Sequence, residues 1–356
     1  MREIVMPSIL MVGPSPESMG GIATVEKNIL EAAHRRGEEV TFLSTTIEGG
    51  KARKLATAMV AYTKYLRGLK SCDLVHIHMA SRGSYFRKKA FIVAAASHGK
   101  PVLLHLHGSE FAMWYDEECT ESQRRDICQT FQLCSRIVVL SEEWRDFLLK
   151  RRICDIEQIK VLHNAVDIPG KNVTDYTSNT VLFMGRLDER KSPDVLLRAA
   201  ACTLSAHPDA RFVFGGDGDV RAYEKLADEL GVSDKCRFIG WATGEKKVEA
   251  FQNSSIFCLP SKNEGMPMSV LEAMSYGLAT IATPVGGVPQ IIDDGVNGFL
   301  LPVGDVTALA EKLDILMSDS ALKERIGKCG RACIEGSFSL DAYMDQIDTV
   351  YEVICK

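Results

Sequence analysis

Two acidic residues, Glu264 and Glu272, are the side chains whose type and spacing first indicate chemistry. They stand eight positions apart in the segment LPSKNEGMPMSVLEAMSYGLATIATPVGGVPQ, residues 259–290. An apolar run at 256–259 predicts a strand, and a Gly/Pro loop, a helix and a second strand at 280–282 follow it. This βαβ unit places Glu264 at the carboxyl edge of a parallel sheet, where ligands bind. Glu272 lies inside the helix that follows the loop. The N-terminus of this helix suits an anionic or hydroxyl-rich ligand.

Two other interpretations of these acids remain open at this point. Ser269 and Glu272 have the spacing of a capping box, which would make Glu272 structural. Paired carboxylates also serve in glycoside hydrolysis. The second alternative is the weaker one, because the rest of a hydrolase cleft is not evident in the sequence.

The segment resembles the E-x7-E motif of retaining glycosyltransferases of family 4, which have the GT-B fold. The resemblance implies an α/β protein of two Rossmann-like domains that face each other across a cleft. It also implies that Glu264 contacts hydroxyl groups of a donor sugar and that Glu272 contacts the nucleotide ribose. Gly265 and Met266, next to Glu264, are then donor-binding as well.

A pair of basic residues, Arg186 and Lys191, follows the predicted strand that opens the second half of the chain. Ser192 is a plausible N-cap and Pro193 the first residue of a helix. A lysine just before a helix N-terminus is unfavourable for the helix dipole, so an anion is expected close by. The resemblance assigns both cations to the donor pyrophosphate, whose departing charge they would stabilise. The alternative is two solvated loop charges.

Glycines after predicted strands are further candidates for contact with phosphate. Gly20 and Gly21 follow the first strand, in a loop that is neither a GxGxxG motif nor a P-loop. Their place matches the donor-facing loop of the family. The resemblance likewise puts Gly216 beside the diphosphate. The end of the predicted strand at 236–240, with Trp241, is the expected base-binding edge.

A literal DxD, Asp217 and Asp219, raises the question of a metal. In another glycosyltransferase fold such a motif binds the divalent ion that holds the nucleotide diphosphate. Here it opens a predicted helix, where acids suit the dipole. Since Arg186 and Lys191 can neutralise the phosphates, we expect no metal and no other cofactor.

Histidines end two neighbouring predicted strands. His107 matches the active-site histidine of the family, which lies by the donor sugar and phosphate. His105 alternates with it along the strand and is the second candidate. His76 and His78 end the preceding strand and are expected mainly in core or surface roles. There is no HExxH motif and no carboxylate among the four, so a metal is the weaker interpretation.

The length of 356 residues predicts two domains. We place an acceptor-side domain at 1–170 and a nucleotide-sugar domain at 171–339, with a polar linker at 168–179. An amphipathic helix at 340–356 should pack back on the first domain, as the resemblance implies. No apolar run reaches the length of a membrane span, and the start of the chain reads as a strand, not a signal peptide.

Composition indicates a cytosolic protein with unequal charge. The eleven cysteines lack CxxC spacing, which favours reduced thiols. Residues 1–170 carry a net charge of +3 and residues 171–356 a net charge of −8. Residues 51–110 hold 11 basic residues against two acids. The two halves should therefore meet different partners.

This basic region leads to a hypothesis of membrane contact. A predicted helix at 51–70 has one apolar face and basic residues largely off it. A second basic cluster follows at 82–89. We expect these features to hold the protein on an anionic membrane, although the apolar face by itself is more typical of core packing. The apolar face consists of Leu55, Met59, Tyr62, Leu66 and Leu69. The basic residues are Lys51, Lys54, Lys64, Arg67, Arg82, Arg87, Lys88 and Lys89.

The expected function is transfer of a sugar, with retention, from a nucleotide-sugar to a glycan or polyprenyl-linked acceptor. A UDP-sugar is favoured and a GDP-sugar comes next. The setting would be bacterial polysaccharide or glycoconjugate biosynthesis, and no nucleic-acid partner is expected. The alternatives are a sugar-nucleotide epimerase of similar architecture and a non-catalytic partner subunit.

Overall fold

The computed structural model describes residues 6–45, 51–171 and 174–356, without the side chains of 51–55 and 58. The chain forms two compact units. Unit 1 consists of Met1–Ala165 and Leu340–Lys356, and unit 2 of Val166–Ser339. Each unit has a six-stranded, fully parallel sheet with helices around it, which confirms the α/β prediction.

The sheet of unit 1 has the strand order β2-β1-β3-β4-β5-β6. Its strands are continuous apolar runs because helices cover a parallel sheet on both faces. Since β1 lies between β2 and β3, the order of connection reverses there, and ligands in such sheets bind at the carboxyl ends beside that point. The strands are β1 Ile9–Gly13, β2 Val40–Ser44, β3 Leu74–Met79, β4 Val102–Leu106, β5 Arg136–Val139 and β6 Ile159–Val161.

Six helices connect these strands, and a π-helix at Trp114–Glu118 follows the fourth of them. One sheet face packs on an aromatic-rich core that includes Tyr65, Phe91 and Phe131. A capping box between Thr120 and Gln123 starts the fifth helix. The helices are α1 Gly21–Arg36, α2 Lys51–Gly68, α3 Gly83–Ser97, α4 Phe111–Met113, α5 Glu121–Gln132 and α6 Glu142–Lys150.

The sheet of unit 2 has the order β12-β11-β10-β7-β8-β9. Here β7 lies between β10 and β8, so the reversal falls between β7 and β10. The strands are β7 Thr180–Met184, β8 Arg211–Gly215, β9 Cys236–Gly240, β10 Ile256–Leu259, β11 Ala279–Ala282 and β12 Phe299–Leu300. The helices are α7 Pro193–Thr203, α8 Val220–Glu229, α9 Gly244–Gln252, α10 Met268–Ser275, α11 Val306–Ser318 and α12 Ser320–Ser337.

The last helix, α13 Leu340–Cys355, belongs to unit 1. Arg36 of α1 forms ion pairs with Asp345 and Asp348 of α13, and the side chain of Tyr351 is buried. None of the helices among the described residues is both long and apolar enough to span a membrane.

The segment predicted as a linker, 168–179, is part of unit 2. The Thr174 hydroxyl donates to the carbonyl of Tyr276 at 2.8 Å, and the Tyr176 hydroxyl to the carbonyl of Gly277 at 2.9 Å. These bonds attach the segment to the end of α10. Thr174 and Tyr176 of the predicted linker are therefore bonded to unit 2.

Candidate functional site

Glu264 lies in the loop after β10 and is 6% exposed. The ammonium group of Lys191 donates to its Oε1. The guanidinium of Arg190 lies 3.6 Å from its Oε2 and also donates to the carbonyl of Asn263 at 3.0 Å. A buried carboxylate needs such partners, because desolvation of an unpaired charge is costly. The two cations hold Glu264 at the carboxyl edge of the sheet.

The loop after β11 packs against the backbone of Glu264 and Gly265. Gly286 has φ +57°, and a Cβ there would lie 2.0 Å from the carbonyl oxygen of Glu264. The amide of Gly287 donates to the carbonyl of Gly265 at 2.6 Å. Met266 beside them is buried. Only glycine at 286 allows this close approach, so the loops after β10 and β11 are in direct backbone contact.

Glu272 is not part of a capping box, and that alternative was wrong. The helix α10 begins at Met268 with Pro267 at the N-cap position and no side-chain cap, so Ser269 already lies inside it. The Oε1 atom of Glu272 accepts a hydrogen bond from Lys247 Nζ of α9 at 2.6 Å. The two side chains are 15% and 27% exposed. The carboxylate is therefore accessible at the edge of the site.

Arg186 follows β7 and points largely into solvent, with 60% of its side chain exposed. Its guanidinium lies 3.6 Å from Asp217 and 3.8 Å from Asp188. Long, exposed ion pairs of this kind contribute little stability. The cation is thus accessible to a phosphate at the same sheet edge as Lys191.

Ser192 occupies the N-cap position of α7 but does not cap the helix with its side chain. Its hydroxyl donates to the carbonyl of Glu189 at 3.1 Å, and its backbone is left-handed with φ 51°. Pro193 is the first helical residue, as predicted. The first amide groups of α7, next to Lys191, therefore have no side-chain cap.

Gly216 and Gly218 bring the loops after β7 and β8 together. Their φ angles are +154° and +112°, and a Cβ would lie 1.8 Å from the carbonyl of Gly185 or 2.3 Å from that of Leu187. This contact explains the G-x-G pattern as close backbone packing. Trp241, directly after β9, is 40% exposed.

The two aspartates of the DxD have separate roles in the fold. Asp219 caps α8 by accepting a hydrogen bond from the amide of Ala222 at 3.2 Å. Asp217 faces Arg186. Across residues 6–45, 51–171 and 174–356, neither belongs to a group of three or more ligands that could hold a metal ion.

In unit 1, Gly20 and Gly21 lie at the start of α1. Gly20 is the N-cap residue with φ +129°, and among the described residues no atom outside the chain neighbours and the helix's own backbone comes within 4 Å of a Cβ built on either glycine. The helix start thus lacks a side-chain cap and is sterically open.

Four buried histidines, His76, His78, His105 and His107, form the histidine cluster. His76 and His78 of β3 and His105 of β4 alternate with the residues of these strands that face the aromatic core, and His107 directly follows β4. His78 pairs with His105 in the strand register. The Nδ1 of His78 lies 2.8 Å from the Nε2 of His107, and the Nδ1 of His76 lies 2.8 Å from the hydroxyl of Tyr351. His105 stacks on His107 with ring centroids 4.0 Å apart.

Burial keeps these imidazoles neutral. It lowers the pKa of His76 and of His107 to about 3, and that of His78 and His105 well below the usual value. Ring nitrogens of His76, His78 and His105 lie within 4.8 Å of one another, the one group in the described part of the chain able to hold a metal. It contains no carboxylate, and the nearby positive charge of Lys88 also lowers the pKa of His78.

The predicted basic cluster at 82–89 is not a free cationic surface. Arg82 pairs with Glu110 and Glu118, and Lys89 with Asp126. Two of the four charges, those of Arg82 and Lys89, are therefore balanced by acids that lie further along the chain. This part of the membrane hypothesis was wrong.

Lys88 is a core residue, only 2% exposed. Its ammonium group donates to the hydroxyl of Thr45, and burial lowers its pKa to about 7. Glu26 of α1 is also fully buried, and desolvation raises its pKa to about 9. A Cβ on Gly13 would lie 1.5 Å from its Oε1, so glycine at the end of β1 makes room for this carboxyl.

Sequence reasoning missed two cations that contact the predicted carboxylates, Arg190 and Lys247. Arg190 directly precedes Lys191, which is a weak signal. Lys247 lies in a Lys-Lys pair at the start of α9. Nothing in the sequence indicated its role, because its partner Glu272 is 25 residues further on.

Two family models match the chain. One described as "Glycosyl transferases group 1" matches residues 166–332, and one described as "Glycosyltransferase Family 4" matches residues 19–168. A D-inositol 3-phosphate glycosyltransferase of Corynebacterium kroppenstedtii is 26% identical over 325 residues, covering 81% of this chain and 70% of that protein.

Solved structures of similar fold cover nearly the whole chain. Sucrose-phosphate synthase from Thermosynechococcus elongatus has a TM-score of 0.79 and 18% identity, over 97% of this chain and 98% of that one. Anabaena HepE in complex with UDP and glucose has a TM-score of 0.76 and 17% identity, over 98% and 100%. With the two family models together matching residues 19–332, the chain belongs to glycosyltransferase family 4 and has the GT-B fold.

Proposed function

We propose that this glycosyltransferase uses a nucleotide-sugar donor, held mainly by unit 2, and transfers the sugar with retention. The observation that carries the proposal is the arrangement of the two carboxylates. Glu264 and Glu272 lie on one βαβ unit at the carboxyl edge of the sheet, and each is paired with a lysine. Carboxylates oriented by cations are suited to accept hydrogen bonds from sugar and ribose hydroxyls.

In this proposal the cations of the β7 loop neutralise the diphosphate. Lys191 already contacts Glu264, so it can bridge the sugar-binding carboxylate and the phosphate next to it. Arg186 and the uncapped start of α7 would stabilise the charge that grows on the leaving diphosphate. A phosphate oxygen of the donor accepts the acceptor proton on the same face, which gives retention without an enzymic base.

We favour a UDP-sugar as donor, with a GDP-sugar next. Support comes from Anabaena HepE, a protein of the same fold described in complex with UDP and glucose. The exposed Trp241 offers an aromatic face for the base. We further propose that no metal is required, because Arg186 and Lys191 supply the positive charge and Asp219 serves as a helix cap.

The test is a panel of nucleotide sugars scored by thermal shift and by hydrolysis, in EDTA and then with manganese. At least one UDP-sugar or GDP-sugar should stabilise the protein and release nucleotide in EDTA. The anomeric configuration of the product, followed by NMR at early times, tests retention. Loss of all turnover in chelator, restored by manganese, would overturn metal independence, and an inverted anomer would overturn retention.

For the acceptor we propose a glycan or polyprenyl-linked substrate at the cytoplasmic face of a bacterial membrane, in polysaccharide or glycoconjugate synthesis. The described part of α2 has a face that supports contact with lipid. Met59 and Val60 are 65% and 57% exposed, and Lys64 and Arg67 are exposed on the same side. The opposite side, with Tyr65, packs into the core.

Of the residues predicted on the apolar face, Met59 is therefore exposed, whereas Leu69 is buried and Tyr62 and Leu66 are partly buried. The side chains of Lys51, Lys54 and Leu55 lie outside the described ones. Flotation with anionic and neutral liposomes tests the proposal, using K64E/R67E and the charge-matched unit 2 variant K225E/K328E. Binding to anionic vesicles should fall only in the first. Equal, negligible binding to both lipids would favour a soluble acceptor.

A further inference from the structure

We propose that His78 is a positioning residue that holds His107 in the tautomer with its proton on Nδ1, so that His107 acts on the donor as a hydrogen-bond donor. This inference rests on the proposed function for its consequence in catalysis. Its structural basis is the 2.8 Å contact between His78 Nδ1 and His107 Nε2, which joins two neutral rings.

The two nitrogens that face each other share a single proton. Either His78 donates from Nδ1 to His107 Nε2, or His107 donates from Nε2 to His78 Nδ1. Each neutral imidazole has one N–H and one acceptor nitrogen. The choice therefore also fixes which nitrogen of each ring remains bare.

The surroundings of His78 select between the two states. Its Nε2 is buried and has no hydrogen-bond partner within the described parts of the chain. If His78 accepted at Nδ1, its own proton would lie on Nε2 as a buried, unpaired N–H, and such donors are rare in folded proteins. If His78 donates from Nδ1, Nε2 needs only to be a bare ring nitrogen. A doubly protonated His78 is disfavoured by burial and by the nearby charge of Lys88.

The proton of His107 must then lie on Nδ1. The residue is 9% exposed, and Nδ1 is not among the buried, unpartnered side-chain atoms of the described residues. His107 would thus present an N–H to a bound ligand. A phosphate oxygen can only accept a hydrogen bond, so this tautomer suits the sugar-phosphate end of a nucleotide sugar.

Backbone contacts also join the segments that follow β3 and β4, next to His78 and His107. The amide of His107 donates to the carbonyl of Met79 at 2.8 Å. A Cβ on Gly108 would lie 2.9 Å from the amide nitrogen of Ser81, so the loops after β3 and β4 are in close contact. These backbone contacts hold the segments that carry His78 and His107 side by side.

An isosteric pair of substitutions at position 78 tests the proposal on the full-length protein. Asparagine carries an N–H donor at the place of histidine Nδ1. Leucine has the same shape as asparagine but no donor. H78L should lower kcat with the best nucleotide sugar by roughly tenfold or more, as expected for a lost oriented hydrogen bond. H78N should retain most of the kcat of the parent. Thermal melting of both variants controls for folding.

The matched control is the same pair at position 105. His105 stacks on His107 but makes no hydrogen bond to it. H105N and H105L should therefore be equal to each other in kcat. An H78N as defective as H78L would overturn the proposal.

A second readout needs no substrate. Long-range proton–nitrogen NMR of the histidine rings, with His107 assigned through H107N, reports which nitrogen carries the proton. In the parent, His107 should be protonated on Nδ1, and H78L should shift its proton toward Nε2. A parent His107 protonated on Nε2 would refute the inference. If no nucleotide sugar were turned over by any variant, the proposed function would fail, and the NMR result would still decide the tautomer.

Discussion

The ribose role of Glu272 makes a quantitative prediction for Glu272→Gln. The substitution keeps the shape and an oxygen that accepts from Lys247, but it removes the charge. A charge-assisted hydrogen bond to a ribose hydroxyl contributes about 1.5–3 kcal/mol. The Kd for UDP should therefore rise roughly 10- to 150-fold.

The fold should tolerate the change. The pair of Glu272 with Lys247 is partly exposed, so its loss costs about 0–1 kcal/mol of unfolding free energy. The structure also removes the helix-capping role as an explanation for any larger effect, because Pro267 is the N-cap residue. Binding and stability are thus separable in this variant.

Isothermal titration with UDP and with 2′,3′-dideoxy-UDP is the assay. The variant should lose affinity for UDP, while parent and variant bind the dideoxy nucleotide alike. Glu249→Gln, an exposed acid of α9, is the matched control and should bind as the parent does. An unchanged Kd for UDP at equal melting temperature would refute the ribose role. An equal loss for both nucleotides would mean a structural effect.

Three further predictions follow from the geometry. Arg186→Ala and Lys191→Ala should lower kcat more than uridine binding, because both act on diphosphate charge; steady-state kinetics and titration compare the two. Gly286→Ala should destabilise more than Gly295→Ala in urea unfolding, because both have positive φ but only the first meets a carbonyl, at 2.0 Å. The unfolding free energy should fall as pH drops from 6.5 toward 3, because the histidine cluster stays neutral when folded and takes up protons when unfolded. His105→Asn should reduce that slope by about 1.4 kcal/mol per pH unit, and an unchanged slope would contradict the assignment.

The fold was largely predictable because its strands are continuous apolar runs bounded by glycine. The strands β10 and β11 and the helix α13 lie within one residue of their predicted bounds. The helical stretch at 111–132 was missed, since it combines a π-helix with a strongly polar helix that shows few apolar positions. A search for apolar residues at the spacing of an α-helix does not detect a π-helix.

The site was predictable where residues are close in sequence and unpredictable where they are paired across the fold. The E-x7-E acids were found from spacing, but Lys247 was not. The same limit misled the membrane hypothesis: charges counted over 51–110 left out Glu118 and Asp126, which neutralise Arg82 and Lys89. A local charge count has no information about partners brought in by a later helix.

The most direct test of the central claim is nucleotide release from a panel of UDP- and GDP-sugars by the parent protein and by Glu264→Gln. The parent should release nucleotide from at least one donor in EDTA. The variant, at equal melting temperature, should be slower by about a hundredfold, because an oriented group that acts in the transition state contributes on that order. No binding of any nucleotide sugar, or a Glu264→Gln variant as active as the parent, would contradict the account.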